Sequence, residues 1–228
     1  MRIFFIPGLG EEKWIFDKIA PFIEGEKVFI DNWELLKEVS EKNLNATVYA
    51  AFLIERFQIN KQDVVIGHSL GGWVALHVKN ILRCPAIQIA SFTDIKKVFK
   101  PTNRHLIFWI ARRGWGLNNF ILNLLVLVAF RNETSKEVFK KIFRKIMSEN
   151  KTLFAKQLQV VYNPVSSPAT VEPDVRIHSE RDHIVCPPTE PYDHVPGDHF
   201  TLYTYPDTVY KPINVFLDNL TKKKKGEL

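Results

Sequence analysis

The residues Gly67-His68-Ser69-Leu70-Gly71 end an apolar run and open a pattern of helical period. A serine hydroxyl at such a junction can act as a nucleophile toward an acyl carbon, provided that a base takes its proton. The spacing has a physical reason. A tight strand-to-helix turn forces the serine into a strained backbone conformation and lifts its Oγ clear of the sheet edge. Side chains two residues before and after would collide there, which accounts for Gly67 and Gly71, with Gly72 beside them. The helix beyond Ser69 aims its positive end at any negative charge that forms at the turn.

Seven histidines are available as the base. His68 and His77 lie on the turn and its helix, and His105 lies in a later helical stretch; packing or surface roles suit all three. His199, within Val195-Pro-Gly-Asp-His-Phe-Thr-Leu202, sits in a short loop before a helical tail and can swing over the sheet edge. Upstream, residues 175–188 read as a strand leaving the core into an acidic loop. Asp182 falls beyond the strand end, where a carboxylate would hold the imidazole of His199 in the required tautomer. Asp174 precedes that strand, at the wrong edge of a sheet, and Asp198 adjoins His199 and points elsewhere. Asp193, between the two loops, is the nearest rival. His178, Asp182, His183, His194, Asp198 and His199 crowd one region, yet no pair has the helical spacing of a zincin and no C-x-x-C occurs. Neither a metal nor another cofactor is expected.

These residues need a frame. Compact apolar runs at 2–6, 27–30, 63–66, 86–90 and 175–177 predict strands buried on both faces. Between them, 14–23, 45–57 and 70–82 carry apolar residues at helical spacing, an alternation that predicts a mainly parallel α/β sheet. The alternation breaks over 94–162, which reads as helices only, with Gly114 and Gly116 as a break and 136–147 as a basic amphipathic segment. The expected organisation is a core of residues 1–93 and 163–228 interrupted by a helical insert, 94–162. The stretch 117–130 is the most apolar in the chain, but it lacks the ~20 apolar residues of a membrane span, and Arg131 closes it. Trp109, Trp115, Phe120, Leu124 and Phe130 are expected to line a pocket for an apolar acyl group. The same stripe also suits the insert's own core or weak contact with a membrane surface.

Composition excludes several classes. Of the formal charge of +6, four units belong to the run Lys222-Lys-Lys-Lys225, expected to be a solvated, disordered end, so no nucleic-acid partner is implied. The opening 1–6 is too short for a signal peptide, which weakens the ending Lys225-Gly-Glu-Leu228 as a retention signal. Cys84 and Cys186 fall at opposite ends of the expected sheet, so no disulfide is expected and a reducing, cytoplasmic setting fits.

Four motifs in order resemble the α/β-hydrolase fold superfamily over nearly the whole chain. Phe5-Ile-Pro-Gly-Leu-Gly10 followed by Trp14 is similar to its first loop, H-G-x-x-G, with Pro7 in place of the histidine. Gly67 to Gly71 resembles the nucleophile elbow. His178 to Pro188 resembles the acid loop H-G-x-x-D-x-x-V-P, with Ser179 where glycine is usual, and Gly197-Asp-His-Phe200 resembles G-G-H-F. The resemblance implies a sheet of about six strands, an oxyanion hole from the backbone N–H groups of Leu9 and Leu70, and a lid formed by the helical insert. It also implies a Ser69-His199-Asp182 triad acting on a small-molecule ester or thioester, without a cofactor. The fold also carries small-molecule receptors and lyases that use the same triad. Epoxide or haloalkane chemistry would want a carboxylate where Ser69 stands.

Overall fold

The computed structural model describes residues 1–98, 104–130 and 132–225. Arg131 and the ending 226–228 lie outside them. Each expected apolar run forms a strand: β1 Arg2–Ile6, β2 Glu26–Phe29, β3 Val64–His68, β4 Ala86–Ile89 and β5 Val175–His178. A sixth, β6 Asp193–His194, is too short to have shown a period. All pair in parallel in the order β2-β1-β3-β4-β5-β6. Central β1, β3 and β4 are apolar on both faces and buried along almost their whole length, as a sheet covered by helices requires.

Of the three expected helices, two form with near-identical bounds: α2 Ala46–Phe57 and α3 Leu70–Leu82, preceded by α1 Asn32–Glu38. The expected helix over 14–23 is instead two short 3₁₀ turns, Lys13–Phe16 and Ala20–Phe22. Pro21 explains this, since a ring without an N–H belongs at a helix start and breaks an interior. The unforeseen α1 has local causes: Asp31 accepts hydrogen bonds from Trp33 N and Glu34 N, capping its first turn.

Between β4 and β5 the described residues hold a 3₁₀ turn and four helices, α4 Arg104–Arg113, α5 Asn119–Ala129, α6 Glu133–Ser148 and α7 Lys151–Tyr162. An asparagine caps the start of each of the last three, Asn118, Asn132 and Asn150. Gly114 and Gly116 take positive φ at the break between α4 and α5. The chain ends with α8 Thr201–Thr204 and α9 Pro206–Lys225. The terminal lysines therefore continue a helix, and the expectation of a disordered end is corrected through Lys225. Both cysteines are free.

Helix α7 is fastened to the core by buried polar contacts. Lys156 Nζ donates to the carbonyls of Leu36 and Val39, 2.7 Å each, at the end of α1. Asn163 Nδ2 donates to Leu44 O at 2.7 Å. A cation on the last carbonyls of a helix also complements its dipole. In Lys156→Met the alkyl stem is kept while two buried carbonyls lose their donor. We expect a loss of about 1–3 kcal/mol in urea unfolding; an unchanged midpoint would show that α7 is held by packing alone.

Candidate active site

Ser69 sits between β3 and α3 with φ 50° and ψ −118°, a conformation that costs a non-glycine residue about 1–3 kcal/mol. The glycines around it are required by contact. A Cβ on Gly67 would lie 2.1 Å from Gly71 C, and one on Gly71 would lie 1.9 Å from Ile6 O. The turn is held by Ser69 N donating to Ile89 O (3.0 Å) and Ser91 Oγ donating to Ser69 O (2.6 Å).

Beyond β5 the chain turns so that Asp182 is buried with both oxygens used. Its Oδ1 accepts from the N–H groups of Ile184 (2.8 Å) and Val185 (2.9 Å), and its Oδ2 lies 2.7 Å from His199 Nδ1. His178 Nε2 approaches Oδ2 at 3.4 Å. Burial alone would raise the Asp182 carboxyl, but His199 and His178, by charge and hydrogen bonding, hold it far below the usual carboxylate range. The rival carboxylates are engaged elsewhere. Asp174 accepts from Ala86 N (2.8 Å) and pairs with Lys79 (2.7 Å). Asp198 accepts from Ser135 Oγ (2.8 Å), and Asp193 is exposed on the edge strand β6.

Ser69 and His199 line one cavity of about 250 Å³ together with Leu9 and Leu70. Its remaining wall is apolar and includes Leu117, Phe139, Ile142, Phe143, Ile146 and Phe154. A larger groove of about 850 Å³, lined by polar residues such as Asn132, Glu180, Arg181 and His183, includes neither Ser69 nor His199. Size alone would favour the groove; the smaller cavity holds the reactive groups and is the candidate site. Among the described residues the N–H groups of Leu9 and Leu70 have no hydrogen-bond partner, whereas the flanking Gly8 and Gly10 donate to Glu11 Oε2 (2.5 Å) and Gln157 Oε1 (2.7 Å). Also among them, no three His, Cys, Asp or Glu side chains converge as a metal would require.

The expected acyl pocket is corrected. Trp109, Trp115, Phe120 and Leu124 are exposed and do not line the cavity. Phe130 is buried but stacks on Phe200 (5.3 Å) outside the lining set. On α5 only Asn119 and Asn123, one turn apart, mark the outward side, a weak signal in so apolar a run, and α6 and α7 supply most of the wall instead.

Two buried residues escaped sequence reasoning. His68, expected as packing or surface, has no exposed area; its Nδ1 lies 2.9 Å from the Glu11 carboxylate and its Nε2 2.9 Å from the carbonyl of His199. Both ring nitrogens face acceptors, which suits the imidazolium. Burial would lower the His68 pKa, but the charge and hydrogen bond of Glu11, with the His199 carbonyl and the charge of Asp182, raise it. His77, on α3, is a packing residue: burial pushes it down to about 4, its ring meets Trp73 edge-on at 4.3 Å, and its Nδ1 lies 3.0 Å from Thr47 Oγ1. Only the adjacency of Glu11 to the first glycine loop hinted at the His68 pairing, since the partners lie 57 residues apart.

No protein-family model and no curated protein matches the chain. Solved structures do. A hydrolase from Oleispira antarctica superposes with a TM-score of 0.73 at 12% identity, over 96% of this chain and 91% of that one. The enol-lactonase from Burkholderia xenovorans LB400 gives 0.72 at 13%, over 95% and 91%, and a thermophilic esterase from Thermogutta terrifontis gives 0.66 at 18%, over 96% and 90%. The likeness shows the α/β-hydrolase fold.

A raised folded-state value for His68 sets the sign of a pH effect. Its stabilisation is complete below the unfolded value of roughly 6.5 and fades as pH rises through the raised folded value. In Glu11→Gln the largest of the raising causes is removed. Urea midpoints between about pH 6 and 10 should therefore fall for the wild type relative to its own neutral value, while Glu11→Gln starts lower and declines less. Parallel curves would mean that His68 is not charged in the folded protein.

Proposed function

We propose that this chain, which has the α/β-hydrolase fold, is a cytoplasmic serine hydrolase cleaving a small-molecule carboxylic ester or thioester with an apolar acyl group. The observation that carries the reading is the 2.7 Å contact of His199 Nδ1 with buried Asp182, on a ring that shares a cavity with the strained Ser69. Asp182 accepts from Nδ1–H, which leaves Nε2 as the ring's base and keeps the ionised carboxylate ready to stabilise the imidazolium. Ser69 Oγ attacks the acyl carbon as its proton passes to His199 Nε2. The oxyanion is held by the N–H groups of Leu9 and Leu70, which carry no other bond among the described residues, and by the positive end of α3. His199 then gives its proton to the leaving alcohol or thiol. Water, deprotonated by the same ring, attacks the acyl-enzyme carbonyl, and the ring returns that proton to Ser69 Oγ as the acid leaves.

The names of the structural neighbours, a hydrolase, an enol-lactonase and an esterase, support carbonyl chemistry without selecting a substrate. The cavity supports a compact acyl group: about 250 Å³ lies just below the ~300–1,000 Å³ of pockets for drug-sized ligands. The insert, residues 94–162, would act as the lid through α6 and α7.

Fluorophosphonate labelling should modify the wild type at Ser69, located by mass spectrometry, and leave Ser69→Ala unlabelled. Turnover of a short p-nitrophenyl ester should fall in Ser69→Ala by at least about a thousandfold. An unlabelled but folded wild type would convert the reading to a ligand-binding protein. Across p-nitrophenyl esters of increasing acyl length, kcat/KM should rise and then drop, and Ile146→Trp should move the maximum to shorter chains; a flat series would remove the basis for the acyl cavity.

A further inference from the structure

The residues that fail to line the cavity share another property. Leu106 and Trp109 on α4, Trp115 at the glycine break, and Phe120, Leu124 and Leu125 on α5 are all exposed, Phe120 by 77% and Trp115 by 59%. The inward side of α5 is already satisfied, since Leu122 and Val126 pack with Phe143. What remains outward is a run of aromatic and aliphatic side chains along α4, the glycine break and α5, denser than the single apolar residues a soluble surface usually shows.

Its charge is one-sided. From residue 95 to residue 132 the chain contains no Asp or Glu, but seven cations: Lys96, Lys97, Lys100, Arg104, Arg112, Arg113 and Arg131. On the hairpin, Arg113 lies 5.5 Å over the Trp109 ring, and Trp109 meets Trp115 edge-on at 4.7 Å. Arg112 pairs with Glu41 of the core. Indole rings with guanidinium groups around them match the boundary between lipid headgroups and acyl chains, where one end is apolar and the other wet.

We propose that the α4–α5 face of the insert docks on the surface of an anionic lipid bilayer. It lies on the membrane rather than crossing it, since among the described residues no helix is long and apolar enough to span. A second copy of the chain is the poorer occupant, because two such faces would oppose cations with cations. The docked face also continues into the candidate site: Leu117, between Trp115 and Phe120 in the chain, belongs to the cavity wall. An amphiphile leaving the bilayer would meet the cavity at this edge. Docking needs no turnover, so it stands or falls separately from the ester-hydrolase reading.

The test is cosedimentation of the full chain with vesicles of phosphatidylcholine alone and of phosphatidylcholine with ~30 mol % phosphatidylglycerol. Each cation near an anionic surface multiplies partition by about fivefold, so binding to the anionic vesicles should exceed that to the neutral ones by at least about tenfold. Raising salt from about 0.05 to 0.5 M shortens the screening length and should erase most of that difference. Trp115→Ser/Phe120→Ser should lower partition by about tenfold without shifting the circular-dichroism melt, since both side chains are exposed; each exchange withdraws an aromatic side chain from the interface. Arg104→Glu/Arg113→Glu should remove the preference for anionic vesicles, and Ser69→Ala should bind as the wild type does. Equal binding to both vesicle types, binding unaffected by both double substitutions, or no binding at low salt would overturn the proposal. So would a dimer in sedimentation velocity that Trp115→Ser/Phe120→Ser dissolves, because the face would then belong to a second copy.

Discussion

A single buried contact, the His68 imidazole against the Glu11 carboxylate at 2.9 Å, joins three loops that the chain separates widely. Glu11 reaches back to Gly8 N and so shapes the first glycine loop. His68 precedes the strained serine, and its second nitrogen fastens the carbonyl of His199, 131 residues away. The bridge acts beside the contacts that fix each segment separately, Gln157 on the first loop, Ser91 and Ile89 on the turn at Ser69, and Asp182 on His199, and links the three directly. Apolar side chains of equal volume would often stabilise such a position better than an ion pair does, but removing one partner leaves an uncompensated buried charge. What the pair contributes is geometric: a directional link between loops that carry different functional groups.

The four helices between β4 and β5 among the described residues are disposed differently toward the cavity. Helix α7 is bonded inward, through Lys156 to the end of α1 and through Gln157 to the first glycine loop at Gly10 N (2.7 Å). Helix α6 lies against the site, and its Ser135 Oγ bonds Asp198 beside His199 (2.8 Å). Together they turn Phe139, Ile142, Phe143, Ile146 and Phe154 toward Ser69. Helices α4 and α5 leave Trp109, Phe120 and Leu124 exposed, while α4 still packs Phe108 and Ala111 against α7 and pairs Arg112 with Glu41. Helices α6 and α7 therefore face the cavity, and α4 and α5 carry the outward apolar side chains.

Features set by local chemistry were legible in the sequence. Gly67 and Gly71 announced a turn whose contacts really are too tight for a Cβ, and the five longer strands followed from apolar runs that need burial on both faces. That Asp182 would meet His199 was readable because each sits just past a strand or a turn of distinct composition. Features set by distant partners were not. No period marks the two residues of β6, whose pairing with β5 alone makes them a strand. Nothing near His68 indicated that a carboxylate would meet it from the first loop. The orientation of α5 was legible only in part: Asn119 and Asn123, one turn apart, mark an outward strip on an otherwise apolar helix, and packing of Leu122 and Val126 against Phe143 decided the matter.

The two acid–imidazole contacts differ in a way that bears on the proposed chemistry. Asp182 is ringed by donors, two backbone N–H groups and two histidines, so its negative charge is spent within its own loop. Glu11 instead borders the cavity itself, next to the N–H groups proposed to hold an oxyanion. A bare carboxylate there would oppose the charge that develops as Ser69 attacks, and in a water-poor cavity that repulsion would be costly. Protonation of His68, the direction in which the charge and hydrogen bond of Glu11 push its pKa, makes the pair neutral as a whole. The raised His68 pKa is thus the condition under which a carboxylate can shape the oxyanion loop without opposing the chemistry that loop would perform.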